Sequence, residues 1–342
     1  MRISYYDAYQ VLLLQAADNG RKEALFGPSF ERARTLAEPY VIGQKFPSVY
    51  LEFPLYGDPF LDVTFLYNEL EEDDRIDAPT AGNIDDLLSW WKTLDQNEDG
   101  ERISFGFELD TKEEAAHDAA IHFQPRRRRE LVRPFFEAIG EHERTDLYLR
   151  QAEKMPNEWP LSFFGLFRGR PNTPLRICGY LSPKEMGACA SDSQRVVQAF
   201  DKIGFRAYDQ RLVDDVVRLF STKPSSGDFQ FDVLDNGDLG TTFALDIQFD
   251  IQQPSAVQKS FDSGIGSRVM GLLREWGIAD ERTKLVPQAS FARALPMERS
   301  DGTLGRYNFT LMPEWVKVRW CDGVLQPAKM YFLATAGFLD EE

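Results

Sequence analysis

The sequence predicts an α/β protein of the α+β kind, in which about ten antiparallel strands close, or nearly close, into a barrel ringed by helices. Three observations predict it. Helix-period segments alternate with strand-period segments; the strands come in pairs joined by short turns; and each strand has one apolar face and one polar, often charged, face. Helices followed by an antiparallel strand pair recur in five rounds across a single domain, 1–342, at a period of about 60–70 residues. The rounds share this pattern and not their residues, and no low-complexity linker divides them.

Taken in order, helical spacing covers 5–26 and 29–38, the second opened by Pro28 and Ser29. Strands follow over 49–55 and 60–67 around a Tyr-Gly-Asp-Pro turn. A helix over 83–94, with Asp85 and Asp86 in its first turn, precedes strands over 102–110 and 118–124. Helices over 127–139 and 142–155 precede strands over 162–168 and 175–181. Helices over 193–203 and 209–220 precede strands over 229–234 and 242–251, on either side of Asp235-Asn236-Gly237-Asp238, a strong hairpin signal. The last round has helices near 256–261 and 266–276, a stretch without clear periodicity, and strands over 315–320 and 328–334 joined through Asp322-Gly323.

Alternation favours closure. Phe107, Phe231 and Leu245 fall on the apolar side of their strands, while Glu108, Asp246 and Lys329 fall on the other. Helices can cover only the apolar side, so the polar side lines a wet interior or, in an open sheet, faces bulk water.

Composition narrows the function. A net charge of −16 disfavours nucleic acid and anionic membranes as partners, because the mean field repels phosphate. The 3 cysteines, widely spaced and odd in number, suggest a reducing compartment. With no basic stretch followed by an apolar core at 1–7 and no long apolar run, a cytoplasmic protein is the expectation.

Local motifs give little. The loop at 95–100 begins like a calcium loop, but Gly106 stands where a bidentate Glu is required. Asp73-Asp74-Arg75-Ile76-Asp77 fits the DDxxD pattern of isoprenyl diphosphate synthases, yet Glu71, Glu72 and Ala78-Pro79 make it an acidic loop rather than part of a helix. Gly264-Ile265-Gly266 lacks a preceding strand. His117, His122 and His142 have no useful metal spacing, and only His122 falls on a polar strand face, where it could simply be a hydrogen-bonded structural residue. Arg126 to Arg129 could attract an anion or form a solvated helix start.

The informative constellation is distributed. The polar faces gather Arg168, Arg170, Arg176, Lys317, Arg319 and Lys329 with Tyr180 and Tyr331, and also Glu52, Asp62, Glu108, Asp110, Asp232, Asp246 and Asp250. If the sheet closes, the cations can converge on a phosphorylated group, and the tyrosine rings can shield a carbocation. Carboxylates could then serve as base or as magnesium ligand. If it stays open, the same residues are cross-strand charge pairs.

Five helix–helix–strand–strand units with polar inward faces resemble the ABBA prenyltransferases, whose ten antiparallel strands form a helix-ringed barrel. The strand over 315–320, followed by Ala328-Lys329-Met330-Tyr331-Phe332-Leu333, looks like the Lys-x-Tyr strands that bind diphosphate in that family. The helix over 131–140 and the Leu161-Ser162-Phe163-Phe164-Gly165 run are similar to cyanobactin-type peptide prenyltransferases. The fourth strand pair departs from the family, with acids where Arg, Lys and Tyr are usual. The resemblance implies transfer of an isoprenyl group from its diphosphate to an aromatic small molecule or a peptide side chain, with Mg2+ as a candidate companion ion. Arg176, Lys317, Arg319 and Lys329 would hold the diphosphate, and Tyr180 and Tyr331 would shield the allylic cation. Glu52 or Glu108 would take a proton, and Asp232 and Asp246 would meet a cationic acceptor. The alternative is a non-catalytic protein that captures a basic peptide or ligand on an acidic cavity.

Overall fold

A computed structural model describes residues 4–41, 46–67, 84–94, 103–111, 119–126, 128–168, 175–299 and 301–339. The acidic run at 73–77, the loop at 95–100, His117, Arg127 and Arg170 lie outside these residues. Periodicity over 5–26 suggests one helix; the structure makes two pieces of it. Helix α1 (Tyr5–Ala16) starts in a capping box between Ser4 and Asp7, and a turn at 17–20 separates it from a π-helical turn, Lys22–Phe26. Helix α2 (Ser29–Leu36) follows, and then the hairpin β1 (Ser48–Pro54) and β2 (Asp62–Tyr67).

The next rounds are α3 (Ile84–Lys92) with β3 (Ser104–Leu109) and β4 (Ala120–Gln124), then α4 (Val132–Ala138) and α5 (Arg144–Lys154) with β5 (Leu161–Leu166) and β6 (Leu175–Leu181). A helix not expected from the sequence, α6 (Pro183–Ser191), comes next, its start fixed by Ser182 accepting from the Glu185 N–H at 3.1 Å. Helix α7 (Gln194–Ile203) and helix α8 (Gln210–Phe220) lead to β7 (Gly227–Val233) and β8 (Leu239–Gln248). Leu212, Val213, Val216, Leu219 and Phe220 form the buried stripe that seats α8. The last round holds α9 (Pro254–Ser263), α10 (Ile265–Glu275) and α11 (Val286–Ala289), then β9 (Phe291–Glu298), β10 (Leu304–Cys321), β11 (Val324–Leu325) and β12 (Lys329–Phe338).

Every strand pair is antiparallel, and the 12-stranded sheet runs β11-β10-β12-β1-β2-β3-β4-β5-β6-β7-β8. The second half of β10 returns to pair with β8, Lys317 opposite Asp246, and this pairing closes the barrel. Two strands lie outside the closed wall: β9 pairs only the first half of β10, and β11 is a short hairpin on its end. Asp322 and Gly323 both have positive φ (50° and 74°), the geometry of a tight two-residue hairpin turn.

The apolar strand faces meet the helices in a continuous aromatic layer. Tyr9 of α1 lies 5.6 Å from Phe65 of β2, Phe135 of α4 stacks on Phe123 of β4 at 4.5 Å, and Phe200 of α7 meets Phe243 of β8 at 5.0 Å. Phe107, Phe231 and Leu245 are all buried in this layer, as their parity predicts. Each such side chain contributes about 1.5–3 kcal/mol by leaving water. No helix among the described residues is long and apolar enough to cross a membrane.

Candidate active site

With the apolar faces turned outward to helices, the alternate residues of every barrel strand point to the axis. They enclose two connected spaces. A chamber of about 330 Å³ lies toward the end marked by Ser48, Gln124 and Gln248, and a narrow extension of about 30 Å³ lies toward Glu52, Asp232 and Lys329. Glu108, Arg176, Gln230, Lys317 and Tyr331 belong to the walls of both.

The narrow end is a lattice of paired charges. Lys329 Nζ contacts Glu52 Oε1 and lies 3.6 Å from Asp62 Oδ2, with both acids buried. Burial alone would raise the Glu52 carboxyl, but Lys329 and Lys317 outweigh it and hold Glu52 below the usual range. Burial raises the Asp62 carboxyl, with Lys329 opposing and Glu52 adding to the rise. Arg176 Nε donates to Asp232 Oδ1 at 2.8 Å, and its guanidinium lies 4.2 Å from the Phe167 ring centroid. Arg319 differs: among the described residues, no carboxylate ion-pairs with its guanidinium, and it lines the narrow space beside Pro327 and Lys329. Four cations therefore converge at this end, as the sequence suggests, and Arg319 alone is not committed to an acid.

At the junction, Lys317 Nζ donates to Tyr331 Oη at 2.7 Å and lies 3.9 Å from Asp246 Oδ1. Burial, with Glu52 and Asp246 adding to it, pushes the Tyr331 hydroxyl well up, so the phenol stays neutral. Tyr331 is also the end of an aromatic wall: Trp315 stacks on it at 5.3 Å, and Tyr50 lies 4.6 Å from Trp315. Across the lumen, His122 Nε2 meets Glu108 Oε2 at 3.0 Å. This imidazole needs the glycine of β5 beside it, since a Cβ on Gly165 would lie 2.9 Å from His122 Nδ1.

The wide chamber has unsatisfied walls. Among the described residues, Asp246 Oδ1, Trp315 Nε1 and Ser162 Oγ are buried without a hydrogen-bond partner. Each such atom costs about 1–3 kcal/mol unless a ligand or water meets it. Asp246 is 4% exposed, and Gln230 Nε2 donates to its other oxygen. Asp228 faces Asp246 directly across the β7–β8 ladder.

Several sequence assignments move. Asp232 and Asp246 do not form one acceptor site: Asp232 sits in the narrow end on Arg176, while Asp246 lines the wide chamber. Asp250 lies past the end of β8, exposed and at φ 51°, so the polar face stops two residues short of it. Tyr180 continues the parity of Arg176 but is 40% exposed and lines neither space, which removes it from the cation shield. Arg168 follows β5 and binds the Ile139 carbonyl and Glu141, away from the lumen. Tyr50, Trp315 and Asp228 were not expected. Tyr50 has the parity of Glu52 and Trp315 that of Lys317, whereas Asp228 required a strand starting two residues earlier than alternation indicates. Among the described residues, no group of three or more His, Cys, Asp or Glu is placed to hold a metal ion. Glu52 and Asp62 are already bound to Lys329, so these residues form no magnesium site of their own.

The sequence matches no protein-family model and no curated protein. Solved structures do resemble the fold. PriB in its binary complex with product diphosphate aligns at TM-score 0.54 and 12% identity, over 97% of this chain and 96% of that one. The 5-dimethylallyl tryptophan synthase of Streptomyces coelicolor, in complex with DMASPP and Trp, aligns at 0.52 and 11% identity, over 98% and 95%. NotF prenyltransferase aligns at 0.51 and 9% identity, over 97% and 92%. The chain thus has the fold of the ABBA-type prenyltransferases.

Proposed function

We propose that this protein transfers an isoprenyl group from its diphosphate to a nucleophile on an aromatic acceptor, either a small molecule or a peptide side chain. The observation that carries this reading is one closed lumen with four converging cations at its narrow end and an aromatic wall beginning beside them. Arg176, Lys317, Arg319 and Lys329 hold the diphosphate oxygens by charge-assisted hydrogen bonds. As the allylic C–O bond breaks, its electron pair leaves with the diphosphate, and the ring faces of Tyr331, Trp315 and Tyr50 stabilise the allylic cation. The acceptor nucleophile forms the new bond to that carbon. Its proton passes to Glu108, which His122 orients, since Glu52 is held by Lys329.

One observation favours a second reading. Carboxylates in the combined lining outnumber cations, which suits capture of a basic ligand without chemistry. The two separate in a mass-spectrometric screen of purified protein with dimethylallyl and geranyl diphosphates, aromatic amines, indoles and peptides. Running it with and without magnesium tests whether the ion enters with the diphosphate, since magnesium is commonly bound through substrate phosphates rather than by an all-protein cage. The expected product is an acceptor heavier by one prenyl group. No product with any pair, alongside measurable binding of a basic peptide, would favour the binder.

A further inference from the structure

We propose that the wide end of the lumen is a cation subsite, in which Asp228 and Asp246 receive the protonated amine of a small aromatic acceptor whose ring lies against Tyr50 and Trp315. The acceptor's role as a substrate rests on the function proposed above; the binding does not. Two carboxylates placed directly opposite on adjacent antiparallel strands repel each other, and a cation between them removes that repulsion. Among the described residues no hydrogen bond reaches the buried Asp246 Oδ1, although Lys317 Nζ lies 3.9 Å from it, in the wall of the chamber that Asp228 also lines. An ammonium group supplies the missing donor and, with Lys317 beside Asp246, balances the two negative charges. The same chamber holds Trp315 and Tyr50, tilted at 40° with ring centroids 4.6 Å apart, whose faces favour a cation and an aromatic body together. Trp315 Nε1, also unpartnered, offers a donor to an acceptor atom on the ligand. A volume of about 330 Å³ suits one small aromatic molecule and sits at the low end of ligand cavities.

Titration follows from the surroundings. Burial raises the Asp228 carboxyl to about 7, with Asp246 adding to the rise and Arg126 and Lys317 opposing it. Burial raises the Asp246 carboxyl to about 6; Lys317 and Arg176 oppose, Glu52 adds to the rise, and the Gln230 amide favours the charged form. Glu314 lines the same chamber, with its carboxyl raised by burial and by Asp250. Above these values the pair is charged and attracts the amine; as pH falls toward 5 it protonates and the attraction is lost, while an alkylamine stays protonated throughout.

The test is calorimetric titration with tryptamine and with its neutral counterpart 3-ethylindole, with no prenyl diphosphate present. At pH 8 tryptamine is expected to bind at least about tenfold more tightly, the scale of a desolvated cation–carboxylate contact. That preference should shrink in wild type between pH 8 and pH 5 and fall to near unity in Asp246→Asn and in Asp228→Asn. Asp228 lies near the end of β7, so its variant decides the matter if Asp246→Asn does not fold. Equal affinity for the two probes in wild type, or a preference that survives Asp228→Asn, overturns the proposal. Because the titration involves no transfer, its failure beside a positive product screen removes only the cation subsite.

Discussion

Replacing Lys329 with methionine is expected to destabilise the protein by about 3–5 kcal/mol at pH 8, the cost of leaving a buried ion-pair partner uncompensated. Two acids depend on this lysine, Glu52 and Asp62, and both are buried at the narrow end of the barrel. The pH dependence has a definite sign. Burial opposes the charge on Lys329, but Glu52 and Asp62 outweigh it and raise its pKa, so its contribution is fully present below the unfolded lysine value and lost only at high pH. Glu52 is held low, so its contribution is present above the ordinary glutamate range and lost as pH falls through its folded value. Asp62, raised to about 7 by burial even beside Lys329, sets the lower edge. The deficit of Lys329→Met should therefore be widest from above about pH 7 to about pH 9 and narrow on acidification, as the stranded acids take up protons. Urea melts of both proteins from pH 4 to pH 8 measure it. A deficit that does not change with pH would mean that the lysine acts by packing alone.

Arg319→Ala should behave in the opposite way. With no acid ion-paired to it among the described residues, loss of the guanidinium strands no buried charge there, and the melting temperature should stay near that of wild type. Affinity for an unreactive prenyl diphosphate should fall by about 10- to 100-fold, corresponding to the 1.5–3 kcal/mol of a charged hydrogen bond. The contrast between Lys329 and Arg319 separates two demands on a lumen cation: Lys329 neutralises two buried acids as well as facing the diphosphate, whereas Arg319 serves the incoming anion alone. Thermal melts of both variants, beside calorimetric titration with dimethylallyl thiolodiphosphate, measure it. Equal losses of stability in the two would erase the distinction.

Much of the barrel is legible in the sequence because strand parity is a local property. Phe107, Phe231 and Leu245 turn to the helices, and Glu108, Asp246 and Lys329 turn to the lumen, as two-residue alternation requires. The last round is less legible for a local reason. Register shifts between Pro313 and Trp315, so the 18 residues of β10 do not read as one alternation, and Pro296 interrupts the pattern of β9. Helix α6 escapes notice because Gly187, Ala188 and Ala190 give it little amphipathic contrast. Within the site, residue types were readable and partners were not. That Asp232 goes to Arg176 while Asp246 faces Asp228 is a fact of register between strands, which no single strand encodes.

The central claim, that the narrow end of this lumen binds an isoprenyl diphosphate, is tested most directly by titrating wild-type protein with dimethylallyl thiolodiphosphate, with and without magnesium. Saturable binding at one site per chain is expected, competed by inorganic diphosphate and weakened by salt, because four cations line the space. No binding under either condition, from a protein that melts cooperatively and is therefore folded, would contradict it.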